Sequence, residues 1–244
     1  MSRQRKRAGL GVLIATFALA GLGAVAWGGL ATPETAGSAG EPEQAGVTSF
    51  HEGEPAALEM LNELEAAQPE SLIDEYRRDY FGSGWASIDG CSVRNLVLER
   101  DLGDVQWLDD SCVVASGSLS DPYTGQQLDF QHDAIAAASN PGSQGVQIDH
   151  VVSLRAAWFG GAYLWTAAER ETFANDLENL VAVDGPANNS KNALGPPEWL
   201  VPENAAHRCS FAIQYAQVNA SWQLGISDAD RAALEKQLRR CVNS

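Results

Sequence analysis

The run Val146-Gln147-Ile148, closed by Asp149-His150, constrains this chain more than any other segment. Apolar and β-branched residues over 145–152 predict a strand. A second such run, Leu180-Val181-Ala182-Val183, is stopped by Asp184-Gly185-Pro186 and predicts its partner. A short helix over 188–192 follows and lies across the hairpin. That frame holds Asp149-His150 rigidly at a strand end while the helix returns Asn188 and Lys191 to the same point. Neighbouring strand residues point to opposite faces, so Asp149 and His150 serve different sides.

The residue types fit phosphodiester hydrolysis. Asp149 is a hard oxygen donor suited to Mg²⁺, and Asn188 adds a neutral carbonyl oxygen to an open octahedral site shared with water and phosphate. An imidazole of ordinary pKa near 6.5 is largely neutral at about pH 7, so His150 can take a proton from the attacking water. Such a base typically contributes about 10² to 10⁴ in rate. Lys191, one turn beyond Asn188, offers a point charge to a neighbouring phosphate. Alone, Asp149-His150 reads as an ordinary strand-end pair, and Asn188, Asn189 and Asn192 as turn formers after Pro186. The downstream spacing tips the balance toward a site.

Three segments carry a resemblance: Asp149-His150-Val151-Val152, Asn179-Leu180 and Asn188-Asn189-Ser190-Lys191. They resemble the HNH endonucleases of the ββα-metal class, and within it the exported actinobacterial proteins of the GmrSD-type carboxy-terminal nuclease group. The Asn-x8-Asn-x2-Lys spacing is similar to that closing the HNH domain of RNA-guided CRISPR effectors. The resemblance implies that Asp149 and Asn188 are metal ligands and His150 the base, with Asn179 orienting the histidine loop by hydrogen bonds. It implies a divalent metal, Mg²⁺ first and Mn²⁺ as the alternative, and a nucleic acid substrate, DNA with RNA as a second class. Some members carry histidine where Asn188 stands, and the amide favours Mg²⁺ over Zn²⁺ or Ni²⁺. The likeness runs over 76–241, through Arg78-Asp79, Phe81-Gly82, Cys91-x2-Arg94-Asn95, Asp121-Pro122-Tyr123-Thr124-Gly125, Trp158 and Trp199. It assigns no role to Arg94, for which an internal salt bridge outweighs a substrate phosphate contact.

Arg3, Arg5, Lys6 and Arg7 precede an uncharged stretch, so residues 1–33 read as a signal peptide or an amino-terminal membrane anchor. Ala24-Val25-Ala26 offers a cleavage site, while residues 8–30 are long enough to serve as a membrane tether. Both alternatives place the rest extracellularly or on the outer face of the cytoplasmic membrane. Residues 34–55 read as a flexible acidic linker and 56–244 as one folded domain, with the motif core at about 145–200. Cys91, Cys112, Cys209 and Cys241 form an even set beyond the leader. Export favours two disulfides, and proximity favours Cys91 with Cys112 and Cys209 with Cys241. A cysteine zinc site is the competing use, opposed by the absence of any Cys-x-x-Cys pair.

Net charge is −16, which opposes broad phosphate neutralisation. Residues 34–75 hold eleven acidic residues and no Lys or Arg, so much of the acidity lies in the linker and first helix. What remains predicts weak, salt-sensitive substrate binding and reliance on a divalent cation.

Elsewhere, residues 56–79 suggest two short amphipathic helices parted at Pro69, 91–98 a helix, and 112–119 with 128–130 a hairpin. Helices are expected over 154–159, over 166–175 with a Thr166–Glu169 capping box, over 203–223, and over 228–241 capped by Ser227. The fold class is therefore α+β, a ββα-metal (HNH) core with surrounding helices and two disulfides. The function this favours is a secreted or membrane-tethered metal-dependent endonuclease. A non-catalytic cell-surface binding module on the same scaffold is the alternative.

Overall fold

The structure is a computed structural model, and it describes residues 53–108 and 112–243. The leader, the tether at residues 8–30 and the linker up to residue 52 lie outside the described residues. The linker's last three expected residues instead open the first helix, α1 (Gly53–Glu63), which buries Ala57 and Leu61 four residues apart.

The chain continues through β1 (Ser87–Ile88), β2 (Cys91–Ser92), α2 (Val93–Asp101), β3 (Gly103–Trp107), β4 (Val114–Ser120) and β5 (Gln127–Gln131). Then come β6 (Val146–His150), α3 (Leu154–Phe159), α4 (Ala167–Ala174), β7 (Leu180–Asp184), α5 (Gly185–Lys191), α6 (Arg208–Ser221) and α7 (Asp228–Val242). Among the described residues the strands pair antiparallel as β1-β2, β3-β4-β5 and β6-β7, so the fold is α+β. No helix among these residues is long and apolar enough to cross a membrane.

Caps set most helix starts. The hydroxyls of Ser92, Ser153, Thr166 and Ser227 accept backbone N–H groups at the starts of α2, α3, α4 and α7, and Thr166 with Glu169 completes the capping box. Disulfides join Cys91 to Cys112 and Cys209 to Cys241, the second linking α6 to α7.

Hairpin β6-β7 separates two apolar clusters. Val146, Leu180 and Ala182 pack with Val97, Leu98, Val114 and Phe130 on one side. On the other, Val183 joins the larger helical core, which includes Phe81, Tyr123, Trp158, Phe173, Phe211 and Leu234. The alternation along β7 is the period-2 pattern of a strand buried on both faces.

Several expectations need correction. After Pro69 there is no second α-helix, only 3-10 turns at Glu70–Leu72 and Arg78–Phe81, because a segment burying little beyond Phe81 cannot sustain longer helix. Strand β3 escaped notice because its side chains are mostly exposed and lack an apolar alternation. Helix α6 starts at Arg208, after a turn at Ala205–His207. Helix α5 starts at Gly185, three residues early, since Asp184 serves as its N-cap by accepting the Ala187 N–H and Pro186 fills the first turn. Gly185 is required there: a Cβ would collide with the Gln144 carbonyl oxygen.

Candidate active site

Register pairs Asp149 with Val181 and His150 with Leu180 at the end of the hairpin, and α5 packs across it. Lys191 reaches inward from the last turn of α5, only 1% exposed, with Nζ 2.8 Å from Asp149 Oδ2. It also donates to the His150 carbonyl oxygen at 2.8 Å. The Tyr123 hydroxyl, from the β4-β5 turn, donates to the same Asp149 oxygen at 2.7 Å. Burial, and next the Asp149 charge, raise the Tyr123 pKa well above its ordinary value, so the phenol stays protonated and donates. Lys191 is thus not a solvated phosphate clamp. A buried ammonium needs a buried carboxylate, and Asp149 supplies it.

One turn earlier on α5, Asn188 Nδ2 donates to Gln147 Oε1 at 2.9 Å. Gln147 and Asp149 share a strand face, so Asp149 and Asn188 lie on the same side of the hairpin. The two hard oxygens that could serve a cation, Asp149 Oδ1 and Asn188 Oδ1, receive no hydrogen bond among the described residues. No cluster of three or more His, Cys, Asp or Glu that would hold a metal occurs among these residues. A cation held there would take most of its shell from water and phosphate, which suits Mg²⁺.

Asn179, fully buried just before β7, accepts the Val152 N–H at 2.8 Å and donates to the Val152 carbonyl at 3.1 Å. Its own carbonyl accepts the Val151 N–H. The loop leaving His150 is thereby fixed by three hydrogen bonds to one residue.

His150 turns to the opposite face and is 6% exposed at the wall of a cleft of about 490 Å³. Arg78, Phe81, the Gly82-Ser83-Gly84 loop, Trp85 and Leu154 also line it. Trp85 lies parallel to the imidazole, centroids 6.3 Å apart at 14°. His150 Nε2 is 2.9 Å from the Ala174 carbonyl oxygen, which can only accept, so Nε2 carries the proton and Nδ1 the lone pair. Burial pushes the His150 pKa down to about 4, with smaller downward contributions from the Arg78 and Lys191 charges. The bond to Ala174 and the Asp149 carboxylate oppose that shift. The ring is therefore neutral throughout the physiological range.

Arg94 lines neither this cleft nor the α5 face. Its guanidinium sits 5.6 Å from the Phe130 ring centroid, and burial lowers its pKa. Sequence reasoning missed Arg78 and Trp85 as cleft residues. The available signal was the aromatic, glycine-rich run Arg77-Arg78-Asp79-Tyr80-Phe81-Gly82-Ser83-Gly84-Trp85.

The model of the family described as GmrSD restriction endonucleases, C-terminal domain, matches residues 93–236. The chain belongs to this family. A protein of Arthroderma benhamiae described as an uncharacterized secreted protein is 37% identical over 188 residues, covering 76% of this chain and 84% of that one. No solved structure matches. The match to the GmrSD C-terminal domain family includes Asp149-His150, Asn179, Asn188 and Lys191, and the family is nuclease-related. Arg78 and Trp85 lie before the matched stretch.

Proposed function

We propose that this chain is an exported endonuclease of the HNH, ββα-metal type, which hydrolyses phosphodiester bonds of DNA, and of RNA as a second class. The observation that carries this reading is His150, neutral and recessed in an open cleft that Arg78 also lines. As a water oxygen bonds to phosphorus, its proton passes to the imidazole nitrogen that bears the lone pair. The bond from phosphorus to the leaving sugar oxygen breaks, and that oxygen takes a proton from solvent. Asn179 is a positioning residue, acting through Val152 on the histidine loop. Lys191 is a second one, through the His150 carbonyl.

Asp149 and Asn188 are the residues that would hold a divalent cation, Mg²⁺ before Mn²⁺. When bound, such a cation would stabilise negative charge on a phosphate; neither residue lines the His150 cleft, so the substrate must span the end of the hairpin for both to act on it. Extracellular placement is supported by two disulfides and by the description of the Arthroderma relative as secreted. A leader retained as an anchor would hold the domain at the outer face of the membrane.

One observation favours the alternative of a non-catalytic surface module: Asp149 Oδ2 is already engaged by Tyr123 and Lys191. Plasmid nicking separates the two. The nuclease reading expects supercoiled DNA to be relaxed with Mg²⁺ or Mn²⁺, chelator to stop it, and His150→Ala to lose most of it while staying folded. Undiminished cutting by His150→Ala would remove the base assignment, and no cutting of plasmid or of single-stranded oligonucleotide by the parent with either metal would favour the binding module.

A further inference from the structure

We infer that the His150 cleft selects single-stranded over double-stranded nucleic acid, taking one unstacked nucleotide with its phosphate at Arg78 and its base against Trp85. This rests on the nuclease reading above.

Accessibility comes first. His150 is 6% exposed, and the Gly82-Ser83-Gly84 loop and Leu154 are among the residues that line its cleft. A phosphodiester must come down to the imidazole, since the imidazole does not project. A flexible single strand can lead its backbone into a recess of about 490 Å³. A stacked duplex must first be distorted or opened there, at a cost in free energy.

Charge points the same way. Duplex DNA carries one negative charge per about 1.7 Å of axis, and its binders neutralise many phosphates at once. Among the described residues the cleft supplies Arg78 alone for this. Asp79 is the carboxylate beside it, and Arg77 bonds both oxygens of Asp79 at 3.1 and 2.6 Å. With a chain net charge of −16, a single arginine can hold one phosphate but cannot offset repulsion along a duplex. Half-buried Trp85, parallel to the imidazole, adds an aromatic face, and stacking on such a face requires a base free of its neighbours.

The test uses the purified full chain, with Mg²⁺ or Mn²⁺, on one end-labelled oligonucleotide sequence supplied single-stranded and as a blunt duplex. Rates are read at low and moderate salt, with bis(4-nitrophenyl) phosphate as a substrate that has no base. Single-strand cleavage at least tenfold faster than duplex cleavage is expected. Trp85→Ala should raise KM for the single strand several-fold more than for the small diester, a split that general misfolding would not give. Duplex cleavage at an equal or greater rate overturns the strand preference while leaving the nuclease reading intact. Failure to cut any of the three substrates removes the nuclease reading, and this inference with it.

Discussion

Lys191 Nζ lies 2.8 Å from Asp149 Oδ2, an ion pair sealed between α5 and β6 with side-chain exposures of 2% and 9%. Removing one partner of such a pair strands the other charge in the interior, which typically costs about 3 to 5 kcal/mol. Lys191→Met is therefore expected to be strongly destabilising in urea titration. The pair Asp149→Leu with Lys191→Met should recover much of that loss. If Lys191→Met costs under about 1 kcal/mol, the carboxylate is not confined as described.

The His150 pKa of about 4 sets a pH window. The unfolded chain, with histidine near 6.5, binds the proton that the folded one refuses. Stability therefore rises with pH from about 4 to about 6.5, by roughly 3 kcal/mol from this one group, and is lost again as pH falls through the window. Urea midpoints for the parent and His150→Gln at pH 4.5 and 7.5 measure the difference, and the variant should show the weaker dependence. Cleavage by the parent should hold down to about pH 5, where an ordinary histidine base would already be protonated.

Legibility in the sequence followed how local the determining interactions were. Strands β6 and β7 taken singly, helix α3, the Thr166–Glu169 box and the Ser227 cap are legible because each depends on residues within a few positions. The same local logic singles out Asp149-His150 and the spacing to Asn188 as a candidate site. It missed the chemistry set by distant partners. Tyr123 reaches Asp149 across 26 residues, and Arg78 and Trp85 approach His150 from a segment whose own periodicity is weak. Lys191, expected to offer its charge to a neighbouring phosphate, is instead buried against Asp149, since short-range pattern does not reveal that the end of α5 faces inward. Arg94, for which an internal salt bridge is expected ahead of a substrate contact, places its guanidinium over the Phe130 ring of β5.

The Cys209–Cys241 bond closes a 32-residue separation and joins α6 to α7, and α1 packs on both helices. In the chain-entropy model such a closure stabilises by about 3 to 4 kcal/mol. The double substitution Cys209→Ala with Cys241→Ala should lower stability by that amount and increase hydrogen exchange in α1, α6 and α7. The hairpin β6-β7, held by its own ladder, should change less. Uniform loss of protection across the whole chain would show that these three helices are not a separable unit.

Asn179 offers a way to separate positioning from packing. Asn179→Ala leaves the Val152 N–H and carbonyl without their side-chain partner in a fully buried setting, at about 1 to 3 kcal/mol for each group left unpaired. Under the nuclease reading the histidine loop then loosens, and kcat should fall at least tenfold while KM changes little, because Asn179 does not line the cleft. The assay is run where the variant is still mostly folded by circular dichroism, so that lost stability is not counted as lost chemistry. A variant with parental kcat on the folded fraction would mean that Val152 holds its place without Asn179, and that the histidine loop is fixed by β6 and α3 alone.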